Sequence, residues 1–184
     1  MRIIGGKYGK RRFSLPSGFN GRPTTDIAKE GLFNILDNRI NWEETRVLDL
    51  FAGSGSIGIE ALSRGAKSVV AIEKNPRHAS FIKSVAKQLN DEKHSTQVRD
   101  VFQFLRNSAD VGTFQLIFAD PPYALPQLPL LPMAVLGSTL LGPNGLFILE
   151  HPKEFDFRET EGFVELRRYG TVHFSFFRSV LQQL

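Results

Sequence analysis

The chain has 184 residues and a mass of 20.7 kDa, with 41% hydrophobic and 23% charged residues, ordinary usage for one folded domain with a single sizeable core. It contains no cysteine, which excludes disulfides, thiolate metal sites, iron–sulfur clusters and thiol catalysis, and its four histidines lack a helical pair spacing, so no metal site is expected. The net charge is +4, yet residues 1–25 carry six basic side chains and no acid, leaving the rest of the chain at −2.

The six basic residues are Arg2, Lys7, Lys10, Arg11, Arg12 and Arg22, interleaved with Ile3, Ile4, Tyr8 and Phe13. Such an asymmetric, glycine-rich end suits a phosphate-backbone partner, the plainer alternative being a solubilising tail. It reads as a small basic N-terminal arm or hairpin over residues 1–25, attached to a body over 26–184. Five basic residues by Arg12 and no apolar stretch after them argue against a signal peptide. Pro121 to Leu149 lacks charge but is interrupted by six prolines, so a membrane helix is not expected. A soluble cytoplasmic protein follows.

Thr24 or Thr25 stands at an N-cap position ahead of Asp26 and the apolar set Ile27, Leu32, Ile35 and Leu36, predicting a helix to about Asn38. Val47 to Phe51 is a buried-strand run, followed by glycines and a helix to about Arg64. Ser68 to Glu73 reads as a second strand. Asn75-Pro76 opens a helix whose apolar face is Ile82, Val85, Ala86 and Leu89. A third strand is expected near Thr96 to Arg99, then a short helix over Val101 to Asn107 and a fourth strand over Phe114 to Ala119. A helix around Leu130 to Leu140 and a strand over Gly145 to Glu150 complete the alternation. Phe163 to Arg168 and Val172 to Val180 alternate at period two about Tyr169-Gly170 and predict a hairpin. The pattern implies an α/β fold with a doubly wound, mostly parallel seven-stranded sheet closed by a C-terminal antiparallel hairpin.

Asp49-Leu-Phe-Ala-Gly53-Ser-Gly55-Ser-Ile-Gly58 falls between a strand and a helix. Its glycines permit a tight turn and a close backbone approach beside a helix N-terminus. Glu73 follows Gly53 by twenty residues, at the end of the second strand, where a carboxylate can accept from both ribose hydroxyls. A nucleoside cofactor is indicated. Asp49 suits a cationic amino-acid end and would repel a pyrophosphate, favouring S-adenosylmethionine over a dinucleotide. Asp100, ending the third strand, could accept from the adenine amine. Simpler roles stand beside these: Asp49 as an acceptor for loop amides, and Asp100 as the N-cap of the next helix.

Asp120-Pro121-Pro122-Tyr123 follows the fourth strand, at the carboxyl end of the sheet where open α/β folds bind ligands. Consecutive prolines make a stiff turn. An exocyclic base amine is a poor nucleophile because its lone pair is delocalised into the ring. The Asp120 carboxylate and Pro121 carbonyl can draw its hydrogens out of plane and localise that lone pair. Tyr123 offers a face on which the base can stack, worth roughly 1–3 kcal/mol in nucleic-acid sites.

These motifs together resemble a class I S-adenosylmethionine-dependent methyltransferase that modifies amines. Arg2-Ile-Ile-Gly-Gly6, Arg22-Pro-Thr-Thr-Asp26, Lys29-Glu30-Gly-Leu-Phe-Asn34 and Leu48 to Gly65 narrow the resemblance to the RsmD family, over residues 2 to about 150. That resemblance implies transfer of a methyl group from S-adenosylmethionine to guanine N2 in 16S ribosomal RNA. It also implies that Asp49, Gly53 and Gly55 contact the methionine portion, Glu73 the ribose, and Asp100 with Val101 the adenine. Asp120, Pro121 and Tyr123 would hold the guanine amine, and the arm through Arg22 would grip the RNA. A monomer acting on 16S rRNA or a small-subunit assembly particle is expected. A DNA adenine-N6 methyltransferase would use the same turn, but no added target-recognition domain is visible. Glu150, followed by His151 and Pro152, departs from the acidic residues that the resemblance implies around this strand end and is assigned no role, ordinary strand-end solvation being the plainer alternative; Phe174, Phe176 and Phe177 read as core.

Overall fold

The computed structural model describes residues 1–19, 25–108 and 111–179, so Arg22 and Val180 of the expected elements lie outside the described residues. In chain order the elements are α1 (Asp26–Asp37), β1 (Arg46–Leu50), α2 (Ser56–Arg64), β2 (Ser68–Glu73), α3 (Pro76–Leu89), β3 (His94–Val98), α4 (Val101–Arg106), β4 (Phe114–Ala119), α5 (Leu131–Leu136), β5 (Leu141–His151), β6 (Phe163–Tyr169) and β7 (Val172–Arg178). Among the described residues, seven strands form one sheet in the order β3-β2-β1-β4-β5-β7-β6. The first five are parallel, and β7 joins β5 and β6 antiparallel to both. Strand order reverses between β1 and β4, and a crevice opens there at the carboxyl ends.

The central strands are buried on both faces, as parallel strands covered by helices must be. Val47, Leu116 and Phe118 face α1, α2 and α3, meeting Leu32, Phe33, Ile59, Leu62 and Val85. Their neighbours Leu48, Ile117 and Ala119 face α4 and α5, meeting Phe104, Leu131 and Val135. The Thr25 hydroxyl caps α1 by accepting from the Ala28 amide at 3.2 Å, and Asn75 with Pro76 starts α3.

Three sequence expectations need correction. Ile27 is 77% exposed, because α1 buries the stripe of Ala28, Leu32 and Leu36 together with Lys29 and Phe33, one residue round the helix. The helix expected over 130–140 shrinks to α5, preceded by a 3-10 turn at Leu128–Leu130 and stopped at Gly137. Strand β5 starts at Leu141 rather than Gly145, since an irregularity at its start lets it extend past Pro143.

The N-terminal arm folds back on itself through a single bridge between Arg2 and Arg12, and Ile3 inserts into the core. Gly6 adopts φ +74°, and a Cβ there would meet the Ser63 carbonyl at 2.0 Å, so only glycine lets the arm lie this close to α2. A buried ionic clasp fixes the contact. Glu60 accepts from the Ile4 amide at 2.7 Å and the Gly5 amide at 2.8 Å. Arg64 donates to the same carboxylate at 3.1 Å, and the Lys29 ammonium lies 3.6 Å away. That ammonium also donates to the Arg2 carbonyl at 2.5 Å and the Ser56 hydroxyl at 2.9 Å. Burial lowers the Lys29 pKa, with Glu60 opposing the shift. Glu60→Ala removes the acceptor for two amides and the partner of a buried cation, and a loss of about 3 kcal/mol in urea unfolding is expected. Amide exchange at Ile4 and Gly5 should accelerate with it; unchanged protection would show that the clasp does not hold the arm.

Candidate active site

The loop between β1 and α2 is shaped by left-handed backbone and by two carboxylates. Phe51, Gly53 and Gly55 take φ +57°, +56° and +73°. Phe51 is the unusual member, a bulky side chain in a conformation that favours glycine, and its ring packs edge-on against Phe102. Glu73, at the end of β2, accepts from the Gly53 amide at 2.8 Å with one oxygen and from the Asn75 amide at 2.7 Å with the other. Asp49, inside β1, accepts from the Gly58 amide at 3.0 Å. A Cβ on Gly58 would meet that same carboxylate oxygen at 3.0 Å, which accounts for the third glycine.

Asp49 is 2% exposed, and burial pushes its carboxyl up to about 7, against the Gly58 amide and with the Glu73 charge. Asp100 caps α4 by accepting from the Gln103 amide at 3.1 Å. The amide-binding roles weighed for Asp49 and Asp100 are therefore present, and both residues also border the cavity.

That cavity measures about 470 Å³, ordinary for a small-molecule site. Asp49, Gly53, Glu73, Asp100 and Val101 border it, and so do Asp120, Pro121, Pro122 and Tyr123. Gly55 shapes the loop without bordering the cavity. The Asp120 amide donates to the Leu50 carbonyl at 3.4 Å, and the Leu125 amide donates to the Pro122 carbonyl at 2.8 Å, so the proline turn is tied at both ends.

Several of the cavity's residues carry no site role in the sequence reading. Glu150, 3% exposed at the end of β5, borders it and accepts from the Tyr123 hydroxyl at 3.2 Å. Phe51 borders it too, as do Phe19 and His78, whose rings lie 4.3 Å apart. Parallel-strand register could have found Glu150, since it occupies on β5 the place that Asp120 occupies beyond β4.

The basic arm divides between two places. Arg2 and Arg12 border a second groove, of about 500 Å³, which shares Ser54 and Ser56 with the main cavity. Arg2 also pairs with Asp26 at 3.4 Å. Lys7 lies toward the far end of α2, where its ammonium pairs with Asp91 at 2.7 Å and its backbone amide donates to the Ser63 carbonyl. Lys10 and Arg11 are exposed, the Arg11 guanidinium lying 5.5 Å over the Tyr8 ring. Phe174, Phe176 and Phe177 are buried in the core. Among the described residues, no three metal-ligating side chains converge, and no helix is long and apolar enough to cross a membrane.

The sheet order, the glycine loop and a cavity at the strand-order reversal define a Rossmann-like methyltransferase fold. Residues 1–178 match the family described as conserved hypothetical protein 95. The chain is 36% identical over 173 residues to the protein YlbH of Bacillus subtilis, covering 93% of each. It is 33% identical over 156 residues to ribosomal RNA small subunit methyltransferase D of Haemophilus influenzae, covering 84% of this chain and 80% of that one. The solved structure of a hypothetical protein from Thermus thermophilus superposes with a TM-score of 0.86 at 31% identity, covering 97% of this chain and 99% of that one. The chain belongs to the conserved hypothetical protein 95 family, the RsmD family of methyltransferases.

The raised Asp49 carboxyl has a stability signature. The folded chain takes up a proton there as pH falls from about 7 toward 3.8, the unfolded value, so its contribution to stability grows over that window. Asp49→Asn keeps an oxygen for the Gly58 amide and removes the buried charge. Its Tm, read by calorimetry, should rise at pH 8 relative to the parent and change less at pH 5. Equal shifts at both pH values would contradict a raised carboxyl.

Proposed function

We propose that this protein transfers a methyl group from S-adenosylmethionine to the exocyclic N2 amine of a guanine in 16S ribosomal RNA. One observation carries the reading. The acids of the glycine loop and the Asp120 to Tyr123 turn open into a single cavity, so a nucleoside donor and a base amine can meet there.

The donor set fits that cofactor better than a dinucleotide. A pyrophosphate seeks the amides of the first helical turn, and here Asp49 already holds the Gly58 amide. Asp49 supplies the anion for a cationic amino-acid group, Glu73 accepts from the ribose hydroxyls, and Asp100 with Val101 bounds the adenine. Gly53 keeps the backbone low enough for the methionine portion to pass, while Gly55 lets the loop turn into α2 against Ile82. When bound, S-adenosylmethionine supplies a methyl group already activated by a sulfonium.

The remaining work falls to this chain's own residues. Asp120 and the Pro121 carbonyl accept the two N2 hydrogens and localise the nitrogen lone pair. Tyr123 stacks on the base. Held this way, the amine would present its lone pair to the donor's methyl group, and the proton it sheds on methylation would pass to Asp120 or to water. Catalysis is positioning plus fixed electrostatics. Arg2 and Arg12, beside the groove that meets the cavity at Ser54 and Ser56, hold the RNA backbone, with the exposed Lys7, Lys10 and Arg11 as further cations of the arm. The Haemophilus influenzae relative's name supports small-subunit rRNA as substrate.

Tritium transfer from labelled cofactor to small-subunit particles of cells lacking this gene tests the reading, with label expected in N2-methylguanosine. Label in DNA alone would reject it. Asp120→Ala should lower kcat about 100-fold while S-adenosylhomocysteine binds as before; full activity would reject the role of that carboxylate. Affinity for S-adenosylhomocysteine should fall as pH drops below about 7, because a protonated Asp49 loses the charge that meets the ligand's ammonium. A flat profile between pH 8 and 6 would contradict that contact.

A further inference from the structure

Strands β4 and β5 run parallel with Ala119 opposite Leu149, so the next residues, Asp120 just beyond β4 and Glu150 still within β5, lie side by side. Neighbouring strands lie about 4.8 Å apart. Two carboxylates therefore border the same cavity from adjacent positions, and Glu150 is almost wholly buried. Placing like charges together in a low-dielectric pocket is unfavourable, and such a pair suits a ligand that presents donors to both. The Tyr123 hydroxyl donates to Glu150 Oε1 at 3.2 Å and thereby ties this carboxylate to the ring on which the base stacks.

The edge of the target base distinguishes what such a pair can read. Guanine carries N1–H beside its N2 amine, so two donors stand in a row. Adenine and cytosine carry one amine beside a ring nitrogen with a lone pair. With Asp120 and the Pro121 carbonyl engaged at the amine, a carboxylate next to Asp120 meets N1–H in guanine and a repelling lone pair in the other two. We infer that Glu150 is the residue that selects guanine, accepting a hydrogen bond from N1–H while its bond with Tyr123 fixes the stacking ring. The inference rests on the guanine-amine reading above and adds to it the group that recognises the base.

The substrate 2-aminopurine separates this role from a purely supporting one. It keeps the N2 amine but has a lone pair at N1. Small-subunit particles are reconstituted with rRNA carrying guanine or 2-aminopurine at the position the wild-type protein methylates, and kcat/KM is measured on each. The wild-type protein should prefer guanine at least 100-fold. Glu150→Gln keeps an oxygen for Tyr123 and gains an amide that can donate to the 2-aminopurine N1. Its preference should fall at least tenfold, with a gain on 2-aminopurine. Tyr123→Phe, which removes only the tie, should lower both rates alike and leave the preference intact. An unchanged preference in Glu150→Gln, with both rates reduced equally, would overturn the inference and reduce Glu150 to a support for Tyr123. A wild-type preference near unity would overturn it without any variant. Absence of transfer by the wild-type protein to guanine-containing particles would instead overturn the underlying reading.

Discussion

Two buried carboxylates hold the glycine loop in shape, Asp49 through the Gly58 amide and Glu73 through the Gly53 amide. A loop with left-handed backbone at Phe51, Gly53 and Gly55 has little intrinsic preference for one conformation. Acceptors fixed on β1 and β2 remove that freedom, because strands in the middle of a parallel sheet scarcely move. The cavity is then the space left between a clamped loop and a stiff proline turn. The same carboxylates border the cavity, so the groups that build the pocket also line it with acids. Asp49 shows the tension in that design, since its carboxyl is driven up to about 7 by burial.

The arm is joined to this frame by a different kind of contact. Glu60 and Lys29 bury their charges between α1, α2 and residues 2–5, and the Lys29 ammonium reaches Ser56, a residue that both grooves share. The position of Arg2 and Arg12 beside the cavity is thus set by α2, the helix that the glycine loop begins. A nucleic-acid strand lying across Arg2 and Arg12 would approach the cavity where a base can turn inward. Turning a base out of its stack is a common requirement of enzymes that modify bases and is easiest for looped nucleotides.

The alternation of strands and helices was legible because parallel strands read as apolar runs and their helices carry caps. Ser68 to Glu73 and Phe114 to Ala119 match the observed strands residue for residue. The glycine loop and the proline turn were legible because each is local chemistry. Ile27 was misjudged since its burial depended on which face of α1 met Glu60 and the sheet, and periodicity left that open. Glu150 received no site role because its meaning comes from register with Asp120, thirty residues away in sequence and adjacent only once β4 and β5 pair. Phe19 and His78 belong to separate segments and meet only in the folded chain.

Membership of the RsmD family makes the chain a methyltransferase, and the chemistry proposed for its cavity places an activated methyl group against a base amine held by Asp120 and Pro121. The most direct measurement is mass spectrometry of 16S rRNA nucleosides from cells with and without this gene. One N2-methylguanosine should vanish in its absence and return with the wild-type gene but not with Asp120→Ala. An unaltered N2-methylguanosine content, or the loss of a methylated adenine instead, would contradict the account.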